Sequence, residues 1–97
     1  MEVRETQTYA NWFGRLRDEK ARARVDVRIR RLSLGNPGDV RPVGLGVSEL
    51  RIDFGPGYRV YYLQRGSALT ILLCGGTKHT QARDIETAQE LAKTLRE

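Results

Sequence analysis

Between positions 47 and 74 the chain holds three runs rich in β-branched and aromatic residues, at 47–54, 58–64 and 69–74. The gaps between them are Gly55-Pro56-Gly57 and Arg65-Gly66-Ser67. Runs this short, punctuated this closely by turn residues, leave no room for crossover connections and predict an antiparallel meander. A three-residue loop at 55–57 opposes Phe54 to Tyr58, Ile52 to Val60 and Leu50 to Tyr62, and opposed residues share a face. One face is then apolar throughout. The other carries Glu49, Arg51 and Asp53 beside Arg59, Tyr61 and Leu63, which gathers two arginines and a tyrosine on a polar surface. The third run is apolar on both faces, so pattern leaves its register open. With a second three-residue loop its end lies beside Tyr58 and Arg59, and the exit through Gly75-Gly76 delivers Lys78 and His79 near them.

Helical spacing frames this meander. Tyr9, Trp12, Phe13 and Leu16 recur at i, i+3, i+4 and i+7 and line one core-facing helix. A second helix starts near Glu19, with Ala21, Val25, Ile29 and Leu32 as a narrow apolar stripe among arginines, and stops at Gly35 with Pro37 just beyond. A short strand at 2–5 precedes the pair. Residues 35–46 hold four glycines and two prolines and read as a connecting loop without strand pairing. After Gly75-Gly76, Thr80 is expected to cap a last helix whose apolar positions are Ile85, Ala88, Ala92 and Leu95, with Lys93 and Arg96 in its final turns. The predicted fold is α+β, one domain over 1–97, with an N-terminal helical hairpin, an antiparallel sheet of three to four strands and a C-terminal helix.

Formal net charge is +5, and residues 15–31, with eight basic and three acidic side chains, account for all of it. A basic character confined to one segment suits a polyanion or an acidic protein, although a solvated helix face reads the same way. The lone Cys74 lies in an apolar run and looks like a small buried hydrophobe, which indicates a reducing compartment. The chain shows neither a leader pattern nor an apolar run near the roughly 20 residues that span a bilayer, so a cytoplasmic protein without membrane insertion is expected.

Candidate functional residues come from the polar face and the segment after the third run. Arg59 is suited to hold a phosphate through two parallel hydrogen bonds, or to pair with Asp53 across the strands. Arg51 has the same two readings, with Glu49 nearby. His79 has an ordinary pKa near neutrality and is the natural proton carrier, while Lys78 beside it supplies positive charge. Tyr61 is placed either to stack on a base or to pack half into the core. Arg22, Arg28 and Arg31 on the second helix are candidates for RNA docking. Gly75-Gly76-Thr77-Lys78 lacks the spacing of a phosphate loop. One histidine, one cysteine and no carboxylate cluster argue against a bound metal, and no cofactor is expected.

The runs Glu49-Leu50-Arg51, Gly57-Tyr58-Arg59-Val60-Tyr61-Tyr62 and Gly75-Gly76-Thr77-Lys78, followed by Thr80-Gln81, Asp84-Ile85 and Ala88, closely resemble the HigB-like, phage Gp49-like branch of the RelE/ParE toxins, known as addiction-module killer proteins. The resemblance spans nearly the whole chain. It implies the same order of elements and the toxin of a type II toxin–antitoxin system: an endoribonuclease that cuts mRNA, commonly on the ribosome, and is silenced by a helix-turn-helix antitoxin. It assigns catalysis to Arg59, Lys78 and His79, and RNA binding to Arg51. The chain departs from the RelE pattern where His79 and Ile85 replace an arginine and a tyrosine, which leaves proton transfer to His79, a tyrosine elsewhere or ribosomal RNA. Two other roles fit the same fold, a ParE-like gyrase poison and a non-catalytic antitoxin-binding module.

Overall fold

The computed structural model describes residues 1–95, so the expected place of Arg96 in the last helical turn lies outside the described residues. The elements run β1 (Glu2–Glu5), α1 (Gln7–Arg15), α2 (Glu19–Ser33), β2 (Val40–Pro42), β3 (Val47–Ile52), β4 (Tyr58–Arg65), β5 (Leu69–Thr77), a 3₁₀ turn (Lys78–Thr80) and α3 (Gln81–Leu95). The strands form one sheet in the order β1-β5-β4-β3-β2, giving the α+β architecture expected. Both hairpins of the meander are antiparallel, and β1 adds in parallel along β5.

Local chemistry sets the helix ends. The Thr6 hydroxyl accepts the Tyr9 N–H (3.1 Å) and donates to the Leu73 carbonyl (2.6 Å), capping α1 and fastening it to β5. Asp18 caps α2 by accepting the N–H groups of Lys20 and Ala21. At the other end Gly35, with φ of 85°, lets its own N–H reach the Leu32 carbonyl and the Asn36 N–H reach Arg31, which stops α2 where a left-handed residue is needed.

Helices cover both faces of the sheet. On one face Tyr9, Ala21, Val25 and Leu32 of α1 and α2 pack on Leu50, Ile52, Tyr58, Val60, Tyr62 and Leu72. On the other, Ala88 and Ala92 of α3 pack on Val47, Tyr61, Leu63, Ile71, Leu73 and Cys74. A bulge in β5 opposite Tyr61 and Tyr62 lets Leu73 and Cys74 both serve the α3 face. Cys74 is buried, as its apolar run indicated.

Four expectations need correction. The sheet has five strands, because Val40–Pro42 inside the glycine-rich stretch pairs with β3; a three-residue edge strand tolerates Pro42 where a longer central one would not. The first hairpin pairs Ile52 with Tyr58, Arg51 with Arg59 and Leu50 with Val60, two residues away from the register expected. Its turn takes in residues 53–57, closed by the Gly57 N–H on the Phe54 carbonyl (3.0 Å), with Gly55 and Gly57 at positive φ. A slip of two keeps every side chain on its face, so the sorting holds although the pairs differ. Third, Gly75 and Gly76 do not form an exit loop but continue β5: a Cβ at Gly75 would meet the Trp12 ring at 2.3 Å, and one at Gly76 would meet an Asp84 oxygen at 1.8 Å. Finally, the Thr80 hydroxyl accepts the Thr77 N–H and donates to Asp84 instead of capping α3.

Candidate functional site

The register puts Arg51 directly opposite Arg59, and Glu49 opposite Tyr61, on the α3 side of the sheet. Two like charges facing each other across strands repel, so this pairing needs a compensating anion. Glu49 supplies it. Its carboxylate, fully buried, lies 3.1 Å from Arg51 Nε, 3.9 Å from Arg59 Nε and 3.6 Å from Arg41 Nε, the last reaching in from β2. The Tyr61 hydroxyl (2.9 Å) and the Gln81 amide (2.8 Å) donate to Oε2, the oxygen on the Arg59 side. A buried carboxylate without such partners would cost several kcal/mol. Here burial pushes the Glu49 pKa up, but hydrogen bonds from Gln81, Tyr61 and Arg51 and the charge of Arg59 outweigh it and hold the group below its ordinary range. Glu49 is therefore a fixed negative charge under three arginines.

The cluster opens on one side. Asp39, Arg51, Asp53, Gly57, Arg59 and Lys78 line a cleft of about 260 Å³ at the margin of the sheet. Lys78 is held there by its own N–H on the Gly57 carbonyl (2.8 Å), which joins the end of β5 to the turn between β3 and β4. Gly57 has φ of 80°, the left-handed region that favours glycine, and sits beside Arg59 Nη1 and Lys78. Arg59 is the most enclosed cation of the cleft, its side chain 11 % exposed. Among the described residues its Nε is the one buried side-chain polar atom without a hydrogen-bond partner. That Nε is turned to Glu49 at 3.9 Å and is itself out of solvent, so the guanidinium meets the cleft through its other atoms.

The candidates fall into two groups. Arg51, Arg59 and Lys78 come together. His79 is exposed on the 3₁₀ turn and is not among the residues lining the cleft. Arg59 does not face Asp53 across the strands, because the register differs; its ion pair is with Glu49. Tyr61 is fully buried and donates to Glu49, so it offers no face for a base to stack on and serves the core. Burial, then the hydrogen bond to Glu49, push its hydroxyl pKa well up. Arg22 donates to the Phe13 (2.8 Å) and Leu16 (3.1 Å) carbonyls and lies over the Phe13 ring, closing the end of α1 instead of facing a ligand. Arg28 donates to the carbonyls of Arg51, Pro37 and Asp39 and ties α2 to the site. Arg31 is exposed near the end of α2.

The pairing of Arg51 with Glu49 was one of the two readings the sequence offered, and the structure contains it; sequence reasoning missed the burial of Glu49, its contacts with Arg59, Arg41, Tyr61 and Gln81, and Asp39 in the cleft wall. The one available signal for Glu49 was its position between Val47 and Tyr61 on a face that α3 had to cover.

A five-stranded sheet with helices on both faces and arginines gathered over a buried carboxylate defines a small basic α+β protein with a cationic cleft at one margin of its sheet. Residues 11–94 match the family described as Phage derived protein Gp49-like (DUF891), and the chain belongs to that family, which is of addiction-module killer, or toxin, type. It is also 45% identical over 95 residues to an uncharacterized protein of Haemophilus influenzae, covering 98% of this chain and 96% of that protein. No solved structure matches the chain significantly. Among the described residues no helix is long and apolar enough to cross a membrane.

Proposed function

We propose that the chain is the toxin of a type II toxin–antitoxin pair, a HigB-like member of the RelE/ParE toxins that cuts mRNA on the ribosome in the cytoplasm. A helix-turn-helix antitoxin would silence it. What supports the reading is one observation: Arg51, Arg59 and Lys78 line a single cleft, the two arginines held by a buried carboxylate and Lys78 by the Gly57 carbonyl. The family's toxin type agrees with it.

In the reaction proposed, the 2′-oxygen of a ribose attacks its own 3′-phosphorus and the bond from phosphorus to the 5′-oxygen breaks. The products are a 2′,3′-cyclic phosphate and a free 5′-hydroxyl. Arg59 and Lys78 stabilise the charge that builds on the phosphoryl oxygens, and Arg51 positions the chain. The proton-accepting groups inside the cleft are the carboxylates of Asp39 and Asp53, and the 2′-hydroxyl proton passes to one of them. Lys78 gives a proton to the departing 5′-oxygen. His79 adjoins Lys78 but does not line the cleft, so the reaction proposed gives it no step.

The test is to add purified protein to a translating extract and follow mRNA integrity by primer extension, with DNA supercoiling followed in parallel after induction in cells. Cut mRNA with intact supercoiling is the expected result. Supercoiling that fails first, with mRNA whole, would assign the chain to gyrase instead. Binding of the antitoxin without either effect would leave a non-catalytic module.

A further inference from the structure

A second cleft, of about 480 Å³, lies between α2 and the end of β3, lined by Arg24, Val27, Arg28, Arg31, Ile52 and Asp53. It adjoins the first at Asp53, which lines both. The ridge between them is braced by Arg28, whose guanidinium donates to the carbonyl of Arg51 on one side and to those of Pro37 and Asp39 on the other. The two clefts differ in chemistry. The first is small and lined almost entirely by charge, below the roughly 300–1,000 Å³ usual for a ligand pocket, which suits a phosphodiester group better than a whole nucleoside. The second has an apolar floor of Val27 and Ile52 between cationic walls. Val27 is 48% exposed, the large apolar side chain that α2 leaves open among its charged residues. Arg24 rests on the Phe54 ring, 4.8 Å from its centroid, which holds its guanidinium in place.

We infer that this second cleft is a nucleotide subsite continuous with the first, so that the ligand is a single strand whose scissile phosphate lies at Arg59 while a neighbouring base rests on Val27. Arg24 and Arg31 hold the adjoining phosphate. An amphipathic ligand with a flat apolar part and an anionic part matches the floor and walls together, and continuity through Asp53 gives the strand its direction. A base on Val27 must be unstacked from its neighbours, which a double helix does not allow. The inference rests on the ribonuclease reading and adds to it where the substrate runs and that it is unpaired.

The probe for binding is unstructured oligouridylate, fluorescein-labelled and 2′-O-methylated, and cleavage is read on mRNA in the translating extract. Arg24→Ala/Arg31→Ala should raise KM several-fold with kcat nearly unchanged. The same variant should lower the slope of log affinity against log salt by about 0.7, the value for the one phosphate of a single strand that it no longer neutralises. Val27→Asp, at an exposed position that does not endanger folding, should weaken binding of a dinucleotide while leaving a mononucleotide unaffected. The charge-matched control Arg4→Ala/Lys93→Ala, far from both clefts, should bind as wild type does. Wild type that cleaves the RNA, paired with variants whose KM and salt slope equal its own, would overturn the subsite and leave the ribonuclease reading standing. Variants that bind RNA normally but lose the antitoxin would also overturn it, reassigning the cleft to an acidic protein surface. Wild type that neither binds nor cuts RNA would remove both proposals.

Discussion

The two faces of the sheet solve opposite problems. Under α1 and α2 the contact is hydrocarbon and aromatic: Leu50, Val60 and Val25 are fully buried, and Tyr9 packs against Trp12 and Phe13. Such a face stabilises without direction, at about 1.5–3 kcal/mol for each large apolar side chain buried. Under α3 the contact is only partly apolar. The first turn of that helix brings Gln81 onto Glu49, and the same carboxylate collects Tyr61 and three arginines. A buried charge network of this kind adds little net stability, yet it fixes where its members point. One face holds the fold together and the other aims cations at a cleft.

That contrast can be broken from either side. Leu50→Ala, on the hydrocarbon face, should cost about 2–5 kcal/mol in chemical denaturation while the folded fraction keeps its cleavage rate. Glu49→Gln, one residue away on the opposite face, should cost less, about 1–3 kcal/mol. It should nevertheless lower cleavage far more than Leu50→Ala does, since Arg51 and Arg59 then face each other without their counter-charge. Equal losses of stability and activity in both variants would erase the distinction drawn between the faces.

The same carboxylate gives a pH signature. Its folded pKa lies below the ordinary carboxylate value, so Glu49 contributes stability that is present above that value and lost as pH falls through the lower, folded one. Wild type should therefore lose stability across that acid window more steeply than Glu49→Gln; parallel acid limbs in urea titrations would show that Glu49 is not strongly coupled to its arginines. A smaller effect is expected at Cys74. Burial, then the nearby Asp84 charge, push its thiol up to about 12, so a neutral alkylating agent should leave the folded protein unmodified and react on unfolding.

Much of the hydrocarbon face was legible in the sequence, because periodicity reports burial directly. Tyr9, Ala21, Val25 and Leu32 sit where helical spacing predicts, and alternation in β3 and β4 sorted Leu50, Ile52, Val60 and Tyr62 correctly even though the turn is longer than the three residues expected. The site was only partly legible. Arg51, Arg59 and Lys78 were found because the meander brings them to one margin. Glu49 was placed on the polar surface and Tyr61 left between base stacking and half-core packing, since polarity in sequence does not reveal that a helix starting at Gln81 will cover them. Arg22 and Arg28 show the converse. Their charge suggested a ligand, but their donors are spent on carbonyls that only the folded chain brings within reach.

The central claim is that Arg59, the most enclosed cation of the cleft, acts on RNA. It is tested most directly by the cleavage rate of Arg59→Ala beside wild type in one translating extract, with the circular dichroism and antitoxin binding of both proteins checked first. Removing a preorganised donor of this kind should slow cleavage by about 10²–10³-fold while fold and antitoxin binding persist. A folded Arg59→Ala protein that cuts mRNA as fast as wild type would contradict the account.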